Sequence, residues 1–301
     1  MQGLTRLVVE QSGFGAVAGS SSGGRESVWA LHEDLLDRRD TAVSLGRERR
    51  DVTSVEGAFV VPNVLSEAEC RALIDVSERI GFTSGEETVN VPKEIRDNEA
   101  VVFVPPTGLL QELSRRLAPF VPGTVESKAT CSQRCDPFIN GRFRIYRYSP
   151  PSAQAQPHRF APHFDGANAP SSVQDGKLTE DSGHGTSKSW MSVLLYLTGG
   201  HQGGETVFFP TVSDPALAEA QTAPEERIRV SPQAGAALCF FHGDHPLSPV
   251  HEGAALAPAE QERKYVIRTD VLYYSKPKES QAEEWHSNST AMAMLRAAAL
   301  S

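Results

Sequence analysis

His163 and Asp165, two residues apart in the stretch APHFDG, pair an imidazole with a carboxylate, and His251 in PLSPVHEGAAL offers a second imidazole far downstream. On a strand, side chains alternate with a period of two, so His163 and Asp165 project to one side. Two imidazoles and one carboxylate on one face of a divalent metal leave three octahedral positions open, a donor set that suits non-haem Fe(II) oxygen chemistry. A rival sits in FFHGDHP, where His242 and Asp244 repeat the His-x-Asp spacing and His245 follows at once. His251 is too near that pair in sequence to close a site from a separate strand, so His163, Asp165 and His251 rank first. His242 and His245 are expected in a loop near the rim. Any one of these residues alone is more often a hydrogen-bonded turn residue; their joint arrangement with the motifs around them favours a metal.

The other reactive side chains say less. Cys131 and Cys135 have a CxxxC spacing, but no second Cys or His pair lies near them, so they read as ordinary thiols rather than a zinc site. Four cysteines in 301 residues make no disulfide framework and fit a reducing compartment. The net charge of -9, without a basic cluster, argues against nucleic acid or an anionic membrane as partner. Small molecules and peptides remain as substrates, and the composition does not indicate an oligomeric state. No apolar run reaches the roughly 20 residues of a membrane span. The protein is therefore expected to be soluble and cytoplasmic, although the scarcity of acidic residues near the N-terminus leaves an organellar presequence open.

Those side chains need elements to hold them. A helical stretch is expected near Glu26 to Asp37, and GAFVVPNVL reads as a strand. In SEAECRALIDVSERIGF, Ser66 is a suitable N-cap with Glu69 three residues on, and Cys70, Leu73, Ile74, Ser77 and Ile80 lie along one helical face. TGLLQELSRRLAPF repeats helical spacing at Leu109, Leu110, Leu113 and Leu117, with Pro119 closing it. From about Arg142, short β-branched and aromatic runs alternate with Gly, Pro and polar turns: RFRIYRYSP, WMSVLLYLTGG, ETVFFP, AALCFFHGD, SPVHEGAAL and KYVIRTDVLYY. Strands at that spacing without long helices between them indicate a sandwich or barrel. The fold class is mainly β with supporting α-helices. Residues 149–162, 167–189 and 213–226 read as loops; the middle one is long enough to suggest a lid or a part in substrate selection. Past Tyr274 the chain is expected to form a terminal helix or fray.

Taken in order, the motifs resemble those of the 2-oxoglutarate- and Fe(II)-dependent oxygenases, prolyl 4-hydroxylase-like branch. FRIYRYSP…FAPHFDG resembles that branch's RY-x-PG…Y-x-PH-x-D segment. SVLLYLTGGHQGGETVFFP is similar to LLYLN…GGET-x-F-P, and VHEGAAL…RKYVIRTDVLYY to an H-x-G…G-x-KW ending. The resemblance spans about residues 56 to 275 and implies a double-stranded β-helix, or jelly-roll, core. It divides the chain into an N-terminal extension (1–50), an oxygenase domain (51–275, with helical support to about 135 and the core from about 138) and a tail (276–301). It implies Fe(II) on His163, Asp165 and His251, with 2-oxoglutarate and O₂ as co-substrates, ascorbate as a reductant, and succinate and CO₂ as products. The substrate would be a protein side chain, prolyl included, or a small molecule.

The distal carboxylate of 2-oxoglutarate needs a cation, and Lys264 matches the lysine of G-x-KW. Two departures qualify that match. The spacing from His251 to Lys264 is longer than usual, with PAEQER where a glycine turn is expected, and Arg268 lies on the same strand face four residues on. A guanidinium would offer the carboxylate a bidentate fork, so Arg268 is the second choice, its ordinary alternative being a salt bridge to Asp270. Tyr196 falls where relatives bond the same carboxylate and Tyr148 on the wall beside the metal; either could instead be a core aromatic with a backbone partner. Gly203, Gly204 and Glu205 read as a turn entering a strand. Two other classes stay open: a catalytically silent jelly-roll binding protein, and a cupin-like metal enzyme that does not use 2-oxoglutarate.

Overall fold

The runs after Arg142 are buried at most positions, as strands of the large sheet must be when helices cover one face and a second sheet the other. The computed structural model describes residues 4–9, 28–31, 46–84, 95–126, 130–151, 157–175, 177–180 and 187–277. The strands that carry the site are β1 (Phe59–Val61), β2 (Arg96–Asp97), β3 (Glu99–Val104), β4 (Phe143–Tyr148) and β5 (Arg159–His163). They continue with β6 (Ser187–Tyr196), β7 (Thr206–Phe209), β8 (Ile228–Val230), β9 (Ala237–Phe241), β10 (Val250–Gly253) and β11 (Lys264–Pro277).

The large sheet runs β3-β4-β11-β6-β9-β1 through its middle, and the small sheet runs β8-β7-β10-β5-β2. From β4 onward the chain passes between the sheets, β4 large, β5 small, β6 large, β7 and β8 small, β9 large, β10 small, β11 large. All of these pairings are antiparallel. That is the winding of a double-stranded β-helix, as the motifs imply.

Two helices back the large sheet. In α1 (Glu67–Ile80) the Ser66 hydroxyl accepts from Glu69 N and the Glu69 carboxylate accepts from Ser66 N, the capping box expected from the sequence. Its buried face, Cys70, Leu73, Val76 and Ser77, joins Leu109, Leu113 and Leu117 of α2 (Thr107–Leu117) over Phe103, Ile145, Val193 and Ile267. Arg116 of α2, 4% exposed, ties the helices together: its guanidinium donates to both Glu69 oxygens at 2.8 and 2.9 Å, to Glu112 at 2.8 Å and to Val64 O at 2.7 Å. On the opposite face of the sheet, Tyr146, Tyr148, Tyr196, Leu238, Phe240 and Val266 pack towards Phe208 of the small sheet.

Four expectations change. Residues 149–162 are not a loop throughout, because β5 begins at Arg159. Val28–Leu31 is a strand, not a helix; its VWAL run pairs antiparallel with Leu4–Val9 and parallel with β3, and the rest of the expected helix lies outside the described residues. Residues 167–189 are not simply a loop. Ser171–Gln174 and Lys177–Glu180 pair antiparallel and extend the large sheet through Leu4–Val9, with Asp175 at a φ of 50° after the first of them. Residues 213–226 contain short helical turns at Pro215–Leu217, Ala218–Gln221 and Pro224–Glu226. The chain beyond Pro277, where the terminal helix was expected, lies outside the described residues, among which no helix is long and apolar enough to cross a membrane.

Candidate metal centre

Pro162 has no N–H to give the ladder, and the β5 register against β10 shifts between Phe160 and His163. The irregularity puts both side chains on the inner face, where the Phe160 and His163 rings stack with centroids 3.6 Å apart. His163 lies directly opposite His251 of β10, so the two imidazoles are a cross-strand pair, with centroids 4.4 Å apart. Asp165 follows just past the end of β5, where Gly243 N donates to its carbonyl at 3.0 Å.

Each imidazole has one nitrogen committed. His163 Nδ1 is 2.8 Å from Ala161 O and His251 Nδ1 is 3.2 Å from Pro249 O. A carbonyl only accepts, so both Nδ1 atoms carry a proton, which leaves Nε2 as the metal-binding nitrogen of each ring. Those Nε2 atoms lie 3.6 and 3.7 Å from the two oxygens of Asp165. One ligand atom from each residue falls within 4.8 Å of the others, and among the described residues this is the one such group of three. Burial pushes the His251 imidazole down to about 3. Burial also works against the Asp165 charge, but Arg268 first, and then the two histidines, more than offset it and hold the carboxyl well below its ordinary range. Neutral imidazoles and an ionised carboxylate are the forms that bind metal.

The rival triplet is not a second site. His242 is fully buried rather than on the rim, and its ring serves Asp165 from behind. The proton order follows from the acceptors. Ser192 Oγ donates to Asp165 Oδ2 at 2.6 Å, so it accepts from His242 Nδ1–H at 2.9 Å, and His242 Nε2 accepts from the Ser189 hydroxyl at 2.9 Å. Asn168 N closes the chain by donating to Ser189 Oγ at 2.7 Å. Burial keeps His242 below its ordinary value and so neutral. His245 instead stacks on Phe241, with centroids 3.7 Å apart, and Asp244 is exposed.

The inner faces of β4, β5, β10 and β11 form a partly open cleft lined by the triad together with Tyr148, Thr206, Lys264 and Arg268. Arg268 is heavily engaged there. Its Nε lies 3.2 Å from Asp165 Oδ2, its Nη2 lies 3.2 Å from Asp270 Oδ1, and Nη2 donates to Gly166 O at 2.9 Å. The salt bridge to Asp270 weighed from the sequence is present. Lys264, 2% exposed, has no carboxylate within ion-pair distance among the described residues; its ammonium sits 4.5 Å above the Tyr148 ring. Burial pushes its amine down to about 7, against a weaker pull upward from Glu205.

Tyr148 passes so close to β10 that a Cβ on Gly253 would meet its hydroxyl at 2.7 Å. Tyr196 stands behind the cleft wall and shares a 2.8 Å hydrogen bond with the Thr206 hydroxyl. Gly203 and Gly204, with φ of 79° and 74°, make the turn into β7 read from the sequence, and Gly204 leaves room for the Lys264 stem. Cys131 and Cys135 sit on one extended strand, Thr130–Ile139; four residues of strand separate them by about 13 Å, too far to share one ion.

Ser192, Ser189 and Thr206 were not singled out from sequence. The one available signal was the period-two series Ser192, Leu194, Tyr196, which puts a hydroxyl on the same face as an expected site tyrosine.

No family model matches the chain, and no curated protein does. Among solved structures it is similar to 2-oxoglutarate oxygenases. One is a viral collagen prolyl hydroxylase from Paramecium Bursaria Chlorella virus-1 in its 2OG complex, at 15% identity and a TM-score of 0.43, covering 73% of this chain and 97% of that one. Another is HygX from Streptomyces hygroscopicus with nickel and 2-oxoglutarate bound, at 14% identity and a TM-score of 0.42, covering 73% and 83%. A third is an oxidoreductase of the 2OG-Fe(II) oxygenase family from Burkholderia pseudomallei, at 14% identity and a TM-score of 0.40, covering 73% and 85%. At such identities and scores, the reading of the site rests on its own geometry.

Proposed function

We propose that this protein is a 2-oxoglutarate- and Fe(II)-dependent oxygenase that hydroxylates a peptide side chain, prolyl included, or a small molecule, releasing succinate and CO₂. The observation that carries the reading is one cleft holding both a two-histidine, one-carboxylate triad and, in Lys264, a buried amine with no anion in ion-pair reach among the described residues. Nitrogen and carboxylate donors with open positions fit Fe(II). The unmatched amine fits the far carboxylate of a dicarboxylic co-substrate, which a cupin-like enzyme that does not use 2-oxoglutarate would not require.

His163 and His251 would hold the metal through Nε2 and Asp165 through a carboxylate oxygen. Ser192, with His242 behind it, and Arg268 fix the rotamer of that carboxylate. Lys264 would pair with the distal carboxylate of 2-oxoglutarate, and Arg268, already committed to Asp165 and Asp270, is the weaker choice. Tyr148 and Phe160 wall the cleft and limit water. The oxidative chemistry comes from the bound iron and O₂, so no side chain needs to act as a general base. The test is succinate production from 2-oxoglutarate by the Fe(II)-loaded chain, screened over proline-containing peptides with mass spectrometry to locate added oxygen. The His163→Ala variant is expected to make no succinate; turnover equal to that of the unaltered protein would refute the assignment.

A further inference from the structure

A second buried cation lies against two rings of the cleft wall, with no counter-charge among the described residues. Arg96 of β2 is 4% exposed and lies directly opposite Phe160 of β5. Opposed residues share a face of the sheet, so its side chain enters the space between the sheets beside Phe160. Its guanidinium carbon is 4.6 Å from the Tyr146 ring centroid and 5.1 Å from that of Phe160, and both rings line the metal cleft. Nε donates to Asn98 Oδ1 at 3.3 Å, while Nη2 is buried with no acceptor. No carboxylate among the described residues lies within ion-pair distance.

Two aromatic faces and one amide oxygen do not neutralise a buried guanidinium. What they leave is a flat cation with unused N–H groups, the geometry that receives a carboxylate. The field at the Tyr146 hydroxyl agrees. Burial disfavours its ionised form, but Arg96, then Arg144 and Arg268, more than offset that and hold it below its ordinary value. Lys264 is reserved for the co-substrate and Arg268 for Asp165, which leaves Arg96 available for a second anion.

We propose that Arg96, with the Tyr146 hydroxyl, binds a carboxylate of the substrate, so that the molecules oxidised here are acidic. The proposal rests on the oxygenase reading of the cleft. A free acid and a peptide would share this recognition. N-acetylproline therefore serves as a probe with a terminal carboxylate and N-acetylglutamate amide as one with a side-chain carboxylate, each compared with its uncharged primary amide.

The full chain is loaded with Mn(II) and saturated with 2-oxoglutarate, and paramagnetic relaxation of the probe protons gives each affinity. At least one acid is expected to bind about 10-fold more tightly than its amide, and whichever acid does so identifies the carboxylate's source. Arg96→Gln is expected to erase that preference while leaving the affinity for 2-oxoglutarate, measured separately, within about two-fold. Equal relaxation by acids and amides, or an undiminished preference in Arg96→Gln, overturns the proposal. Should Arg96→Gln not fold, Tyr146→Phe decides: a weakened acid preference supports the site and an unchanged one overturns it. Loss of 2-oxoglutarate rather than of the acids in Arg96→Gln also overturns it, and leaves the oxygenase reading standing. Failure of the unaltered protein to bind 2-oxoglutarate removes the oxygenase reading, while the acid preference is still read on the Mn(II) protein.

Discussion

Lys264 is costly where it stands, and that cost is measurable. The unfolded chain keeps this amine protonated up to about 10.5, whereas the folded protein releases the proton at about 7. Between those values the unfolded state binds more protons, so stability of the free protein rises as pH is raised through that window. Removing the amine relieves the same penalty. Lys264→Met is expected to stabilise the free protein by about 1 kcal/mol in a thermal melt at pH 7, and to abolish 2-oxoglutarate binding. In the unaltered protein, binding near pH 8 should take up about one proton, seen as buffer-dependent heat in titration calorimetry; no proton uptake would mean that the anion does not meet this amine. His242 belongs to the same scale. It touches Asp165 only through Ser192, so His242→Ala is expected to weaken metal binding by about 10–100-fold, measured by competition with a chelator, without abolishing it. The triad was legible from residue type and the motifs around it, but its placement was not, because Asp165 lies past the end of β5, outside the strand alternation. The Ser189-His242-Ser192 chain was not legible, because it depends on how β6 and β9 align, and nothing local encodes that register.

Between elements, the α1–α2 clamp is the most exposed to a single change. Arg116 is buried and makes a bidentate pair with Glu69 while also holding Glu112. Removing it leaves Glu69 partly buried without its cation. Arg116→Met is therefore expected to cost about 3 kcal/mol, read as a lower midpoint in urea with an unchanged slope. Gly253→Ala would force a Cβ against the Tyr148 hydroxyl and is expected to cost about 1–3 kcal/mol in the same measurement. Both helices were legible because their apolar faces, and for α1 the Ser66 cap, are local signals. The strand pair in residues 167–189 carried an Asp-Gly turn signal but little hydrophobic alternation, since one of its strands pairs with Leu4–Val9 rather than covering the core. Val28–Leu31 is too short for periodicity to separate strand from helix; its pairing with β3 decides.

At the scale of the molecule, the large sheet has two jobs on its two faces. One face takes the helices, and the other faces the small sheet across the interior that holds the triad and Lys264. The strand runs made a sandwich or barrel legible and the motif resemblance implied a jelly roll, but the order β4-β11-β6-β9 was not legible, because pairing between distant strands leaves no local trace. The central claim is that one cleft brings a metal on His163, Asp165 and His251 together with a dicarboxylic acid on Lys264. Its most direct test is the visible spectrum of the Fe(II)-loaded protein titrated with 2-oxoglutarate in the absence of oxygen. A charge-transfer band is predicted that saturates with 2-oxoglutarate and is lost in both His163→Ala and Lys264→Met; fully metallated protein that shows no band would contradict the account.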